Sequence, residues 1–455
     1  MANPKRIFVC VLALMLAVMA FAPALAQDEP TEVRVLIAFT DYRLDWARER
    51  AAEFNEQFPE YNIVIEGLAS YNDVFDAAVL GSEQGNQPAV IHFFEAATQE
   101  ARDAVNASGE PLFKNIDEAI GDAEEINGVP VVLGDVVDSA AEYYTLGGEF
   151  TSMPWNTSSA IMFTNNNMLE AAGVEEIPET WAEIEAACAT ISSLEDGPDN
   201  CITWPNHSWF VEQTMAQQGE LLANNNNGRD ERATEVFLDS QGMIDYISWW
   251  QGLNDEGYYV YTGTQRDWTG TYNAFIAEQV AFLIYSSSDT TALTSDGTDA
   301  GFEVEASFMP YNDEGEYAGN IIGGATLWLT NGLDAEVETG ALMFMNWFNN
   351  PENAADWHRV TGYIPITDPA IELLEEEGWF EENPNSRVAG DQLTAAAEND
   401  VNPGALIGNF VAIRDVITGA IEDILVNDLD VEERLTEANE EANLLLEEYN
   451  LLYVE

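Results

Sequence analysis

Three histidines (His92, His207, His358), the cysteines Cys188 and Cys201, and 82 carboxylates are the side chains of this 455-residue chain best suited to acid–base, nucleophilic or metal chemistry. Their spacing does not assemble them. The histidines are scattered, and no G-x-S-x-G, H-E-x-x-H, Walker A or G-x-G-x-x-G element is present. A nucleophile, a catalytic zinc or a dinucleotide site needs such a constellation. Carboxylate pairs say nothing about glycosidase chemistry, because 82 acids produce many pairs by chance. A lone histidine such as His358 reads as a surface or core residue. The chain is read as a non-enzyme, with no catalytic residues, no metal and no cofactor.

The charge balance points the same way. Fifteen basic residues against 82 acidic ones give a net charge of −67, which excludes nucleic-acid binding, since affinity for phosphate backbones comes from Lys and Arg. Only Lys5 and Lys114 are lysines. An acidic, lysine-poor surface suits a protein kept soluble by self-repulsion in concentrated salt, where the Debye length falls to about 3 Å at 1 M. The alternative, an acidic face for a basic partner, has no focus, because the acids run along the whole chain. With 46 % apolar and 11 % aromatic residues the chain can build large cores, so general disorder is excluded. Its length fits two or three domains of about 150 residues each.

Residues 1–26 read as an export signal: Lys5 and Arg6, an apolar run from Ile7 to Phe21, then Ala24-Leu25-Ala26 as the cleavage signal. The run is shorter than the ~20 residues of a spanning helix. Loss of the two cations takes the formal charge from −67 to −69. No cysteine follows Ala26, so no lipid attachment site is expected. In an oxidising compartment Cys188 and Cys201 read as a disulfide closing a short loop, with two inert reduced thiols as the alternative.

The elements that must position any site are legible as an α/β pattern. Val33 to Phe39 reads as a strand, and Leu44, Ala47, Ala51, Phe54 and Phe58 recur at helical spacing up to Pro59. Tyr61 to Ile65, Asp73 to Leu80 and Ala89 to Phe94 continue as strand, helix and strand, with Glu95 just beyond. That alternation predicts a parallel sheet with ligands beyond its carboxyl edge. A second series starts near Met153, with a strand from Ala160 to Thr164 and a Thr180–Glu183 capping box. Phe282 to Tyr285 and Ala325 to Leu329 read as buried strands. Ile413 to Val426 and Glu432 to Tyr453 read as helices, and Asn224 to Gly228 as a loop tip. Without repeats or a long linker, interleaved lobes are expected.

Several stretches resemble the extracellular solute-binding proteins of ABC importers, in particular their glycerol-3-phosphate-binding branch. Asn165 to Gly173 (NNNMLEAAG) followed by Pro178 to Trp181 (PETW) is similar to a pattern shared across that superfamily. Met153 to Ser159 (MPWNTSS), Ile321 to Trp328 (IIGGATLW), Asn350 to Thr367, Gly378 to Pro384 and Gly408 to Arg414 (GNFVAIR) are more specific, and follow the family order over nearly all the mature chain. The resemblance implies an α/β, two-lobed periplasmic-binding-protein (Venus flytrap) fold with three interlobe crossings, near 157–159, 323–325 and 364–367. The N-terminal lobe would comprise 27–157 plus 325–365, and the C-terminal lobe 158–324 plus 366–455. It also implies a periplasmic monomer that hands a small molecule to the permease subunits of an ABC transporter.

The ligand-binding set implied by the resemblance is Tyr71, Glu95, Ser158, Ser286, Gly324, Tyr363 and Arg414. Chemically it suits a phosphate monoester: the Arg414 fork can bind two oxygens, and Ser158, Ser286 and the Gly324 N–H add donors. Glu95 would instead accept from glycerol hydroxyls at the other end. Taken singly, each residue has a plainer reading. Arg414, at a helix start, is a surface salt bridge; Ser286-Ser287-Ser288 is a polar turn; Gly323-Gly324 is a tight turn or bulge; Tyr71 and Tyr363 are packing aromatics. One departure bears on Ser286: the family's F-x-x-G-x-x-A pattern reads Phe275 to Ala281 here, with Glu278 in place of Gly. Glycerophosphocholine competes with glycerol 3-phosphate as ligand, its ammonium over Trp155, Trp204 or Trp209. A maltose-like sugar and a hydrolase of glycerophosphodiesters are the readings from other classes.

Overall fold

Asp41 ends the first loop by accepting the Arg43 N–H, and from there helix Tyr42–Gln57 buries Leu44, Ala47, Ala51 and Phe54 on one face, as the periodicity predicts. Phe58 closes it, because a residue before proline is pushed out of helical geometry. The computed structural model describes residues 29–195, 197–395 and 401–453; the expected export signal lies outside them. Strands Thr31–Ile37, Tyr61–Gly67 and Val90–Phe94, with helix Tyr71–Gln84 capped by Ser70, complete the first α/β series. These three strands are parallel, with Thr31–Ile37 central. The expected parallel sheet stops there. Gly323–Thr330 joins antiparallel to Val90–Phe94 and carries Phe113–Lys114 and Met153–Ser158 on its other side.

Ser159 marks the passage to a second sheet. Met153–Ser158 belongs to the six-stranded sheet, whereas Ala160–Asn165 lies in a four-stranded one, in the order Ile202–Thr203, Phe282–Ser286, Ala160–Asn165, Val304–Phe308. The chain returns between Val304–Phe308 and Gly323–Thr330. The Ser159 N–H donates to Ser287 Oγ (3.2 Å) and its hydroxyl to the Ile321 carbonyl (3.2 Å), which ties the two passages together. A third strap runs beside them, with the Ile364 N–H on the Thr157 carbonyl (2.8 Å) and the Val137 N–H on the Ile366 carbonyl (3.1 Å).

Each sheet has its own apolar core. Val33, Phe54, Trp155 and Phe344 belong to the first; Trp204, Trp250, Ile417 and Leu446 belong to the second. Each such side chain contributes roughly 1.5–3 kcal/mol on burial. Helices Phe410–Asn427 and Val431–Tyr453 pack against each other and against Gln241–Asp255 over the second sheet. Thr180 and Glu183 form the expected capping box. Cys188 and Cys201 are disulfide-bonded and fully buried.

Two local expectations change. Asn224 to Gly228 is not a loop tip: Asn225, Asn226 and Asn227 take three successive left-handed conformations, which Asn tolerates better than most residues. Asn227 is buried, and its carboxamide oxygen accepts the N–H groups of Leu222 (2.8 Å) and Ala223 (3.0 Å). Glu278 adopts φ of 55°. The position where the resemblance expects glycine is thus a left-handed one, held here by a residue with a side chain.

Candidate ligand-binding cleft

Between the two sheets lies a cleft of about 950 Å³, and all seven expected ligand residues line it. Tyr71 opens helix Tyr71–Gln84, Glu95 follows strand Val90–Phe94, and Ser158 and Ser286 end their strands. Gly324 lies on Gly323–Thr330, Tyr363 follows helix Pro351–Thr361, and Arg414 sits in the first turns of Phe410–Asn427.

Gly324 is there for want of a side chain. At φ of 109° a Cβ would fall 1.8 Å from the Asn156 carbonyl oxygen, so the strand can run past Asn156 only with glycine. Ser286 Oγ accepts the Ser288 N–H (3.2 Å), which leaves its own proton to donate into the cleft. The departure at Glu278 does not remove Ser286 from the cleft, which it lines.

Arg414 differs from expectation. Its Nε donates to Glu212 Oε1 (2.7 Å), and its Nη2 to Glu212 Oε2 (2.6 Å) and Glu95 Oε1 (2.9 Å). All three side chains are at most 7 % exposed. Burial alone would lower the arginine's pKa, but Glu212 and Glu95 outweigh it and hold it above the ordinary value. Burial pushes the Glu212 carboxyl up, against the pull of Arg414. Arg414 and Glu95, expected at opposite ends of a ligand, are thus an ion pair, and the fork is occupied. The cause is Glu212 on helix Ser208–Gln217, one acid among 82 that no pattern marks. What remains free toward the cleft is one donor, Nη1, beside one carboxylate oxygen of Glu95. That pairing matches hydroxyl groups, which both donate and accept.

The donors gather elsewhere. Ser158, Ser286, Ser288, Gly324, Tyr71 and Tyr363 line the cleft with Arg43, a residue the sequence did not single out. Arg43 is held by Asp41 (Nε to Oδ1 3.0 Å, Nη2 to Oδ2 2.5 Å), and its guanidinium lies 4.5 Å from the Phe39 ring centroid. Asp289 stands nearby; burial raises its carboxyl pKa and the Arg43 charge opposes this. His207, also in the lining, accepts the Trp209 N–H on Nδ1 (3.0 Å). Burial, then Arg414 and Arg266, keep His207 neutral.

Of the three candidate stacking tryptophans only Trp209 reaches the cleft. Trp155 is buried in the first core, stacked on Trp357 (5.2 Å), which stacks in turn on Tyr363 (5.5 Å). Trp204 is fully buried among Trp249, Trp250 and Tyr259. The aromatic wall is instead Trp209 with Trp268, Tyr272 and Tyr285. Among the described residues no helix is long and apolar enough to cross a membrane.

This architecture, two sheets strapped together at three places with a cleft between them, is that of two-lobed solute-binding proteins, and residues 49–387 match the bacterial extracellular solute-binding protein family. The chain belongs to that family, the substrate-binding class of ABC importers. It is similar to the sn-glycerol-3-phosphate-binding periplasmic protein UgpB of Escherichia coli, at 28 % identity over 88 % of this chain and 89 % of that one. Its fold is similar to UgpB from Mycobacterium tuberculosis in complex with glycerophosphocholine (TM-score 0.71, 20 % identity, 92 % of this chain and 98 % of that one). It is comparably similar to a cyclic alpha-maltosyl-1,6-maltose binding protein from Arthrobacter globiformis (TM-score 0.69, 20 % identity, 92 % and 100 % covered).

Proposed function

We propose that the solute is sn-glycerol 3-phosphate or a glycerophosphodiester such as glycerophosphocholine, captured as the chain's two lobes close on it and delivered to ABC permease subunits. The observation that carries this reading is convergence: seven residues spread from position 71 to position 414 line one cleft, with the types that a glycerophosphate requires. The phosphate is assigned to the donor-rich end, where Tyr71, Tyr363, Ser158, Ser286 and the Gly324 N–H surround it and Arg43 supplies charge. The glycerol hydroxyls are assigned to the Glu95–Arg414 pair. Arg414 thus serves the glycerol end and not the phosphate, because Glu212 has taken its fork. Lobes of 27–157 plus 325–365 and 158–324 plus 366–455 are proposed to hinge at the three passages. A ligand touching both stabilises the closed form. The mature protein is proposed to start after Ala26 and to act as a periplasmic monomer.

A cleft of about 950 Å³ is at the large end for small-molecule sites and leaves room beyond the phosphate. Trp209, Trp268, Tyr272 and Tyr285 with Asp289 suit a quaternary ammonium there. The same aromatic wall is what favours the second reading, a sugar. A thermal-shift series with glycerol 3-phosphate, glycerophosphocholine and maltose separates them. A ligand at a hundred times its Kd stabilises by about 2.7 kcal/mol, so at least one glycerophosphate raises Tm and maltose does not. A shift with maltose alone replaces this proposal with the sugar reading.

A further inference from the structure

Helix Ser208–Gln217 is buried along its whole length, and one of its side chains is a carboxylate. Trp209 from this helix lines the cleft, and Gln213 donates to the Ile321 carbonyl (2.9 Å). Glu212, one turn on from Trp209, stands outside the cleft lining and is only 4 % exposed. Both of its oxygens accept from Arg414 at once, Oε1 from Nε (2.7 Å) and Oε2 from Nη2 (2.6 Å). A protonated carboxyl cannot do this, because the oxygen that bears the hydrogen would set it against an N–H. Glu212 is therefore ionised.

The charge that results is uneven. Glu95 and Glu212 set two carboxylates against the single guanidinium of Arg414, which leaves one negative charge in excess. The other charged residues described in the lining do not cancel it. Arg266 pairs with Asp415, Arg43 pairs with Asp41, Asp289 is an acid, and His207 is neutral. The guanidinium is also held in place, 5.1 Å from the Phe410 ring centroid and 6.0 Å from that of Phe94. Swinging it to a new partner would leave a buried carboxylate unpaired. A neutral hydroxyl at Nη1 can donate and accept without meeting the excess charge. An anion at the same place lies one guanidinium away from Glu212, roughly 6 Å, where an effective dielectric of about 20 makes the repulsion worth about a hundredfold in affinity.

We infer that Glu212 is a positioning residue that sets specificity: by holding the Arg414 fork and adding its own charge, it turns an arginine able to seat an anion into one that takes an uncharged polyol end and refuses a second anionic group. Discrimination then comes from a repulsive element placed behind the cleft wall and not on it. The inference rests on the proposed capture of a glycerophosphate, and it narrows the solute to those whose glycerol end carries no charge.

Calorimetric titration with glycerol 3-phosphate and with 3-phosphoglycerate tests it, because the second ligand has a carboxylate where the first has a hydroxymethyl group far from the phosphate. The readout is the ratio of the two Kd values in wild type, Glu212→Gln and Glu212→Asp, with Tm measured for each. Wild type binds 3-phosphoglycerate about a hundredfold more weakly. Glu212→Gln removes the charge and narrows that ratio by about tenfold or more, whereas Glu212→Asp keeps the charge and stays within about threefold of wild type. Both variants lower Tm, but loss of folded protein weakens the two ligands alike and leaves the ratio unmoved, which separates charge from packing. A wild type that binds the two ligands alike overturns the inference and leaves the functional proposal standing. So does a Glu212→Gln ratio equal to that of wild type, or a Glu212→Asp ratio that falls as far as that of Glu212→Gln. Should Glu212→Gln fail to fold, Glu212→Met, uncharged and of similar length, takes its place. Wild-type protein that binds neither ligand overturns the functional proposal and this inference with it.

Discussion

Arg43 and Arg414 carry the same charge in opposite circumstances. Arg414 is buried against two carboxylates, whereas Arg43 is 22 % exposed and shares its fork with a single carboxylate that is 42 % exposed. Arg43 therefore has attraction to spare for an anion, and Arg414 holds the local structure together. Replacing Arg43 by Ala is expected to weaken glycerol 3-phosphate binding by about 1.5–3 kcal/mol, as for a hydrogen bond to a charged group, with little change in Tm. Replacing Arg414 by Ala leaves Glu95 and Glu212 buried without a counter-charge and costs about 3–5 kcal/mol of stability. Calorimetry and urea unfolding on the pair check this; an Arg43→Ala protein with wild-type affinity contradicts it. That Tyr71, Glu95, Ser158, Gly324, Tyr363 and Arg414 line one cleft was legible because each sits in or beside a stretch whose order and composition could be matched; Ser286, which also lines it, lies where the match departs at Glu278. Glu212 and Arg43 were not. An acid among 82 carries no signal, and Arg43 in the first turn of an amphipathic helix looks like any solvated charge. Trp155 and Trp204 misled because cleft and core use tryptophan alike, and the bulge at Trp155 hides which face the strand presents.

Elements announced themselves where burial follows a period. The helix from Tyr42 and the strands Thr31–Ile37, Tyr61–Gly67 and Val90–Phe94 bury one face or both in step with the sequence. The antiparallel half of the six-stranded sheet was not legible, because Gly323–Thr330 pairs with strands that lie far away along the chain. Turns were the weakest part: Asn225 to Asn227 form a buried left-handed run in which the backbone and one carboxamide do the bonding. Glu278 illustrates the energetics of such a turn. Helix Trp268–Ile276 ends in a pair of backbone bonds, Glu278 N–H to the Phe275 carbonyl (3.0 Å) and Gln279 N–H to the Ala274 carbonyl (2.9 Å), that require a left-handed residue at 278. A side chain there costs about 1–2 kcal/mol, partly offset by the greater freedom of glycine in the unfolded chain. Its side chain returns only a long bond from Asn165 (3.4 Å). Glu278→Gly is expected to raise unfolding stability by about 0.5–1 kcal/mol without altering ligand affinity. A urea midpoint that falls shows the carboxylate to be structural.

At the scale of the molecule the proposal must meet one difficulty, the approach of an anionic solute to a chain of charge −67. Its long-range field opposes approach in dilute buffer and is screened in concentrated salt. Contacts at hydrogen-bond distance inside a closed cleft feel salt far less. On the proposed function, capture would therefore depend on short-range donors placed where both lobes meet. Ser158 beside one passage, Ser286 tied through Ser287 and Ser159 to the same passage, and Gly324 at the next would couple the proposed anion directly to the straps on which the lobes would turn. The most direct test is the crystal structure of the complex with glycerol 3-phosphate. The phosphate is expected within about 3 Å of the Gly324 nitrogen and the hydroxyls of Tyr71, Tyr363 and Ser286, with the glycerol hydroxyls on Glu95 and Arg414. A phosphate seated on Arg414, with Glu95 displaced and the two tyrosines turned away, contradicts the account.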